Sequence, residues 1–157
     1  MTQRTSGERM MPNEGRGMQP LMPALHEKAI VISEAHLDSF GHLNNARYLE
    51  LFEQARWDLI TERGYGMDVI RKRQQGPIIL GVEMKFLREL APREAVVIKS
   101  ELLSYERKIG RMRQVIEKAD GTAACEAVFT FGLFDMAQRK LVEPTPEWAH
   151  AVGVMPA

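Results

Sequence analysis

The chain has 157 residues, 45% hydrophobic and 27% charged, which excludes a collagenous, mainly disordered or membrane-spanning protein and suits one packed domain. With 21 Lys and Arg against 21 Asp and Glu the formal net charge is +0, so the chain carries no electrostatic footprint for nucleic acid. Cys125 is the only cysteine, which excludes an intrachain disulfide and a cysteine-rich metal site.

Residues 1–24 read as an irregular tail rich in Gly, Pro, Gln, Arg and Met, and residues 25–157 as a single domain. Neither a secretory h-region nor an apolar run near the ~20 residues of a membrane span is present, so a cytoplasmic, non-inserted protein is expected. Ala29 to Ile32 is a β-branched run that predicts a strand. After a loop the period changes: Tyr48, Leu51, Phe52, Ala55, Leu59 and Ile60 recur by three and four, which predicts an amphipathic helix from about Asn45 to Arg63. Asn44 or Asn45 supplies its N-cap, and Gly64 its stop. A further helical turn fits between Met67 and Arg73. Everything after Pro77 reads as strand: Val82, Met84 and Phe86 alternate with polar residues, two long runs follow, and Asp120-Gly121 marks a hairpin before the run through Cys125 and Leu133. Within that run Cys125 reads as a small buried hydrophobe. One helix and one antiparallel sheet give a two-layer α+β solution, the sheet curling around the helix. Leu87, Val128 and Phe134, on the outer face, point to cover by another subunit.

The loop and helix start carry the chemistry: Asp38-Ser39-Phe40-Gly41-His42-Leu43-Asn44-Asn45-Ala46-Arg47-Tyr48, continuing through Leu49 to Arg56. This segment resembles the hotdog-fold acyl-CoA thioesterases of the 4-hydroxybenzoyl-CoA thioesterase-like family. Their signature is an Asp, two residues, a Gly, a His or apolar residue, an apolar residue, a polar pair and a Tyr inside the helix. The similarity in strand order runs from about Glu27 to Pro146. It departs from the pattern at His36, where relatives often carry a second Asp. The resemblance implies a hotdog fold, one long central helix wrapped by a curved antiparallel sheet of about five strands. It implies hydrolysis of an acyl-CoA to a free acid and coenzyme A, with Asp38 as nucleophile or general base and Asn45 at the oxyanion site. No metal and no organic cofactor is implied, and subunits are expected to self-associate as a dimer or tetramer.

The residue types support hydrolysis without the family. A helix N-terminus presents unpaired N–H groups and a partial positive charge, a ready oxyanion site. An aspartate beside it can attack a carbonyl or activate water, or can bond its own backbone as an Asx-turn. Gly41 permits a tight turn or a close ligand approach. His42 carries an imidazole, a ready proton acceptor, yet its place after the loop glycine suits ordering the loop or seating Asp38. Tyr48 reads as packing and Glu53 as solvated surface, although other hotdog thioesterases place a catalytic carboxylate on this helix. His26, His36 and His150 have no partner at metal-ligand spacing. A neutral protein must meet the phosphates of coenzyme A locally. The candidates are Arg88 at a strand end and Arg107, Lys108 and Arg111 at a strand connection; by resemblance the turn from Tyr105 to Lys108 lies where relatives contact the nucleotide. Gly41 and Asn44 complete the expected substrate contacts. Acyl preference would rest on how Leu51, Phe52, Trp57, Ile79 and Met84 shape a pocket.

Two rivals remain open. A thioesterase acting on acyl carrier protein would want a broad basic docking surface, which the neutral charge disfavours. A non-catalytic acyl-CoA-binding hotdog module would want an output domain, for which the tail is too short. A hotdog dehydratase fits the loop less well.

Overall fold

The computed structural model describes residues 25–154. The expected tail, residues 1–24, lies outside them. Chain order is β1 (His26–Val31), a 3-10 turn (Glu34–His36), α1 (Asn45–Glu62), α2 (Met67–Arg73), β2 (Gln75–Phe86), β3 (Ala95–Glu106), β4 (Ile109–Lys118), β5 (Ala123–Asp135), β6 (Lys140–Val142) and α3 (Pro146–Val152).

All pairings are antiparallel, in the order β1-β3-β4-β5-β2, and β6 pairs with β5 beyond the end of β4. Bulges at Leu80 and Leu103 bend the long strands, as a curling sheet requires. α1 lies on the concave face and buries the six residues that its period singles out, Tyr48, Leu51, Phe52, Ala55, Leu59 and Ile60. Phe52 meets Phe129 edge-on at 5.8 Å, a contact worth about 0.5–1.5 kcal/mol beyond its burial.

A polar pin fixes the helix against the sheet. Gln114 of β4, fully buried, donates to the Phe52 carbonyl at 3.1 Å and to Ser100 Oγ at 2.8 Å, and accepts from Arg56 at 2.9 Å. The Arg56 guanidinium lies 4.1 Å over the Phe129 ring. Burial pulls its pKa down to about 10, so it stays charged at neutral pH. Every buried hydrogen-bonding group of Gln114 is thus used, and the pin adds register to packing.

The expected sheet of about five strands is present, with the short β6 added beside β5. One expectation needs correction: residues 146–152 form a helix, not a strand. Thr145 caps it by accepting from the Trp148 N–H, Pro146 occupies its first turn, and Gly153 closes it at φ +96. These end signals outweigh strand propensity because the seven-residue helix is too short to display a full apolar period. α3 buries Trp148, whose indole N–H donates to the Tyr105 hydroxyl at 3.0 Å and whose ring packs edge-on to Tyr65 at 5.1 Å. The first strand also begins earlier than expected, at His26.

β2 is an edge strand, and it is the apolar strand left uncovered. Val82 and Phe86 face the same side as the core residues Phe129 and Cys125 with which they pair, yet they are 44% and 51% exposed.

Candidate active site

The loop ahead of α1 is tied down at several points. Leu37 and Leu43 bridge across it, Leu43 N–H donates to the Leu90 carbonyl, and Asn44 N–H donates to the His36 carbonyl at 3.0 Å. Inside this frame the chain turns back at Gly41, whose φ of +80 favours glycine and whose N–H donates to the Asp38 carbonyl. Asp38 Oδ1 accepts from the N–H groups of Phe40 at 2.9 Å and His42 at 3.3 Å. The Asx-turn reading and the chemical reading therefore coexist: one carboxylate oxygen anchors the turn, while Oδ2 accepts no hydrogen bond among the described residues.

The start of α1 completes the arrangement. Asn44 is the N-cap, its Oδ1 taking the Ala46 N–H at 2.9 Å and its carbonyl the Arg47 N–H at 2.9 Å. The Asn45 N–H finds no acceptor among the described residues. Asp38, His42 and Asn45 line one cleft of about 470 Å³ with Tyr48, Phe86 and Arg88. Asp38, with a carboxylate oxygen left without a partner, and Asn45, with an unpaired helix-start N–H, thus line one cleft. That combination suits attack on a carbonyl whose oxygen gathers negative charge.

The chain's similarities agree with this chemistry. Residues 33–152 match the family model described as Thioesterase-like superfamily. The chain belongs to that superfamily. It is a thioester hydrolase. It is 30% identical over 106 residues to the long-chain acyl-CoA thioesterase FadM of Escherichia coli (strain K12), covering 67% of this chain and 80% of that protein. A solved structure of YbaW, a probable thioesterase from Escherichia coli, superposes with a TM-score of 0.72 at 26% identity, covering 82% of this chain and 96% of the other. The Staphylococcus aureus protein SAV2348, solved in complex with CoA, shares the fold at a TM-score of 0.78 and 14% identity, over 85% of each chain. With the strand order above, these matches establish the hotdog fold.

The other expected site residues divide by position. His42 Nε2 lies 3.3 Å from Glu89 across the cleft mouth, a pairing with a residue that the local sequence does not single out. Arg88, exposed, stands in the same wall. Gly41 and Asn44 shape the loop and the cap and are not among the residues lining the cleft. Tyr48 does more than pack. It is 3% exposed, meets Phe86 edge-on at 5.1 Å, and lines the cleft, and burial pushes its phenol up to about 12, so the hydroxyl keeps its proton. Its place one turn after Asn45 was the available signal. Cys125 is fully buried and its thiol is pushed up to about 12 by burial, which removes it as a nucleophile.

Arg107, Lys108 and Arg111 gather around a separate depression of about 710 Å³ that also holds Ser104 and Leu141. Along β5 the row at Cys125, beside the cleft, and the row at Phe131, beside this hairpin, are six residues apart, about 20 Å at strand rise. Within one chain the basic turn and Asp38 therefore stand at opposite ends of the sheet. Glu53, exposed on α1, accepts the Trp57 indole N–H at 3.3 Å and lies outside the cleft. Among the described residues no group of three or more His, Cys, Asp or Glu is placed to hold a metal ion, and no helix is long and apolar enough to cross a membrane.

Proposed function

We propose that the chain hydrolyses acyl-CoA thioesters, with the Asp38 carboxylate acting on the thioester carbonyl and the Asn45 N–H holding the oxyanion. The observation that carries this reading is the pairing, in one cleft, of an unengaged Oδ2 with an unpaired helix-start N–H. As a general base, Oδ2 takes a proton from water, the hydroxide adds to the carbonyl carbon, and the tetrahedral oxyanion rests on the Asn45 N–H. Collapse then breaks the carbon–sulfur bond, and coenzyme A leaves with the proton. As a nucleophile, Oδ2 adds to the thioester carbonyl carbon, the carbon–sulfur bond breaks, and coenzyme A leaves as the thiol after taking a proton. Water then cleaves the mixed anhydride to the free acid and the Asp38 carboxylate. Single-turnover hydrolysis in heavy-oxygen water identifies the nucleophilic route where water attacks the Asp38 carbon of the anhydride, because that step labels Asp38 and the general-base route never does. Both routes use protein groups and water, without a metal or organic cofactor. Gly41 and Asn44 serve by shaping the loop, and His42 by seating it against Glu89.

Release of free thiol from a panel of acyl-CoA and acyl carrier protein thioesters tests the reading. Turnover of acyl-CoA is expected. Turnover of the carrier-protein thioesters alone would favour the rival suggested by the relative from Arabidopsis thaliana, the acyl-acyl carrier protein thioesterase ATL3, 27% identical over 88 residues. Tight acyl-CoA binding with no cleavage would favour the binding-module rival.

The basic turn enters this reading through self-association. β2 has an open edge and a half-exposed apolar row, the features of a surface that a second copy covers. Antiparallel β2-to-β2 pairing reverses the partner, so the partner's basic turn moves to the end of the sheet that holds Asp38. It then stands three to four strand spacings away, each about 4.8 Å, within reach of the coenzyme's nucleotide. Replacing Arg107 and Lys108 together by Ala is expected to raise KM for acyl-CoA severalfold with kcat little changed, because a phosphate anchor contributes uniform binding. Steady-state kinetics on acyl-CoA and on a short thioester lacking the nucleotide check this. Equal losses on both substrates would contradict it.

A further inference from the structure

Asn45 gives the oxyanion one donor, and the start of α1 has no second to spare. The next N–H groups, of Ala46 and Arg47, are bound to Asn44. An oxyanion accepts from more than one donor, and preorganised sites aim backbone and side-chain groups, tyrosine among them, at the place where charge develops. Among the side chains lining the cleft, the carboxylates of Asp38 and Glu89 only accept, and His42 is engaged with Glu89. Arg88 and Asn45 are exposed, where water competes for their donors. The remaining polar side chain is Tyr48.

Tyr48 is a fixed donor without a partner. It is 3% exposed, and its hydroxyl makes no hydrogen bond among the described residues. A buried phenol normally finds one. Among the described residues the sealed side-chain atoms that lack a partner are on His26 and Asp58, so the Tyr48 oxygen still reaches solvent, and the space that this residue lines is the cleft. Its ring is held from two sides. Leu43, just before the N-cap, and Tyr48 occupy the staple positions of a helix start and are buried in one cluster. Phe86 meets the ring edge-on. A helical side chain leans toward the helix N-terminus and covers the turn before its own Cα. For Tyr48 that turn begins at Asn45. Burial above all, with the Glu89 and Glu94 carboxylates adding to it, keeps the phenol protonated, so the hydroxyl is a neutral donor.

We infer that the Tyr48 hydroxyl is a second donor to the thioester oxygen, meeting it beside the Asn45 N–H. This rests on the hydrolytic reading and on its placement of the carbonyl at Asn45. The hydroxyl lends its hydrogen and keeps it. Its bond is weak to the neutral carbonyl and strong to the oxyanion, so it favours the transition state over bound substrate.

Tyr48→Phe removes the hydroxyl and nothing else. Because that hydroxyl holds no protein group, the melting temperature should stay at wild type or above. Calorimetric binding of S-alkyl-CoA thioethers, which have no carbonyl and cannot be cleaved, should stay within about twofold. On acyl-CoA kcat should fall roughly 10- to 100-fold, what a hydrogen bond to a charged oxygen contributes, with KM little changed. A readout that needs no turnover is the infrared carbonyl band of an isotope-labelled ketone analogue of acyl-CoA, a methylene replacing the thioester sulfur, bound to the protein. Hydrogen bonds lower its frequency. Tyr48→Phe should raise it, and Tyr48→fluorotyrosine, a stronger donor of nearly the same shape, should lower it. If the wild type cleaves no thioester and the band still moves in these directions, the Tyr48 contact stands and the hydrolytic reading falls. Unchanged kcat and an unmoved band in folded Tyr48→Phe, with Asp38→Asn inactive, would overturn the Tyr48 assignment and leave hydrolysis at Asp38 intact. A kcat loss accompanied by a lower melting temperature, weaker thioether binding and an unmoved band would make Tyr48 a packing residue and overturn the assignment as well. Should Tyr48→Phe fail to fold, the fluorotyrosine protein decides: a lowered band upholds the contact and an unmoved one removes it.

Discussion

Asp38→Asn is expected to give a folded protein that binds acyl-CoA and turns it over at least ~10²-fold more slowly, the low end of a general-base contribution. The amide keeps an oxygen where Oδ1 accepts the Phe40 and His42 N–H groups, so the turn that seats the loop survives. What changes is the other atom. Oδ2, which accepts no hydrogen bond among the described residues, becomes an NH₂ group that can neither take a proton from water nor attack a carbon. Melting temperature and S-alkyl-CoA affinity should stay near wild type while kcat falls, which separates loss of chemistry from loss of fold. His42→Ala should cost less, since its imidazole meets Glu89 at the mouth and its loop contact to Asp38 is made by its backbone N–H. Near-normal turnover by Asp38→Asn, with His42→Ala inactive, would reverse the two roles.

The parts of this site that lie close in sequence were legible in it. The cap at Asn44, the glycine at a left-handed φ, the aspartate three residues before it and the 3–4 period of α1 are local features, and each shows its own signature. α3 was missed because a seven-residue helix offers only its ends, Thr145-Pro146 and Gly153, as signals against a background of β-branched and apolar residues. The His42–Glu89 pairing and the Gln114 pin are non-local: they join residues 47 and 58 apart in pairs that only the sheet order brings together. Of the five residues expected to shape an acyl pocket, Trp57 and Ile79 line a small cavity beside Trp148, Leu51 and Phe52 lie in the core, and Met84 packs against that core. Val82 and Phe86 on β2 alternate as in a buried strand, yet the fold of the chain leaves them 44% and 51% exposed.

The oxyanion assignment permits a cleaner test than any side-chain deletion, because the donor is a backbone N–H that proline removes. Asn45 is the first residue of α1, the position where proline is most readily accepted, since its fixed φ suits the helix and the N–H it lacks is unpaired there in any case. The preceding residue must be extended for a proline to follow, and Asn44 already is, at φ −64 and ψ 139. Its cap to the Ala46 N–H is untouched. Asn45→Pro should therefore fold with a melting temperature close to wild type. Losing one preorganised oxyanion donor typically costs ~10²–10³ in kcat, and that is the drop expected here. Asn45→Ala is the control: it removes the same side chain but keeps the N–H, and should retain most of the activity. Full turnover by a folded Asn45→Pro would remove Asn45 from the oxyanion site and send the search to the next donors in the first turn, Ala46 and Arg47, both of which would have to break their bonds to Asn44 to serve.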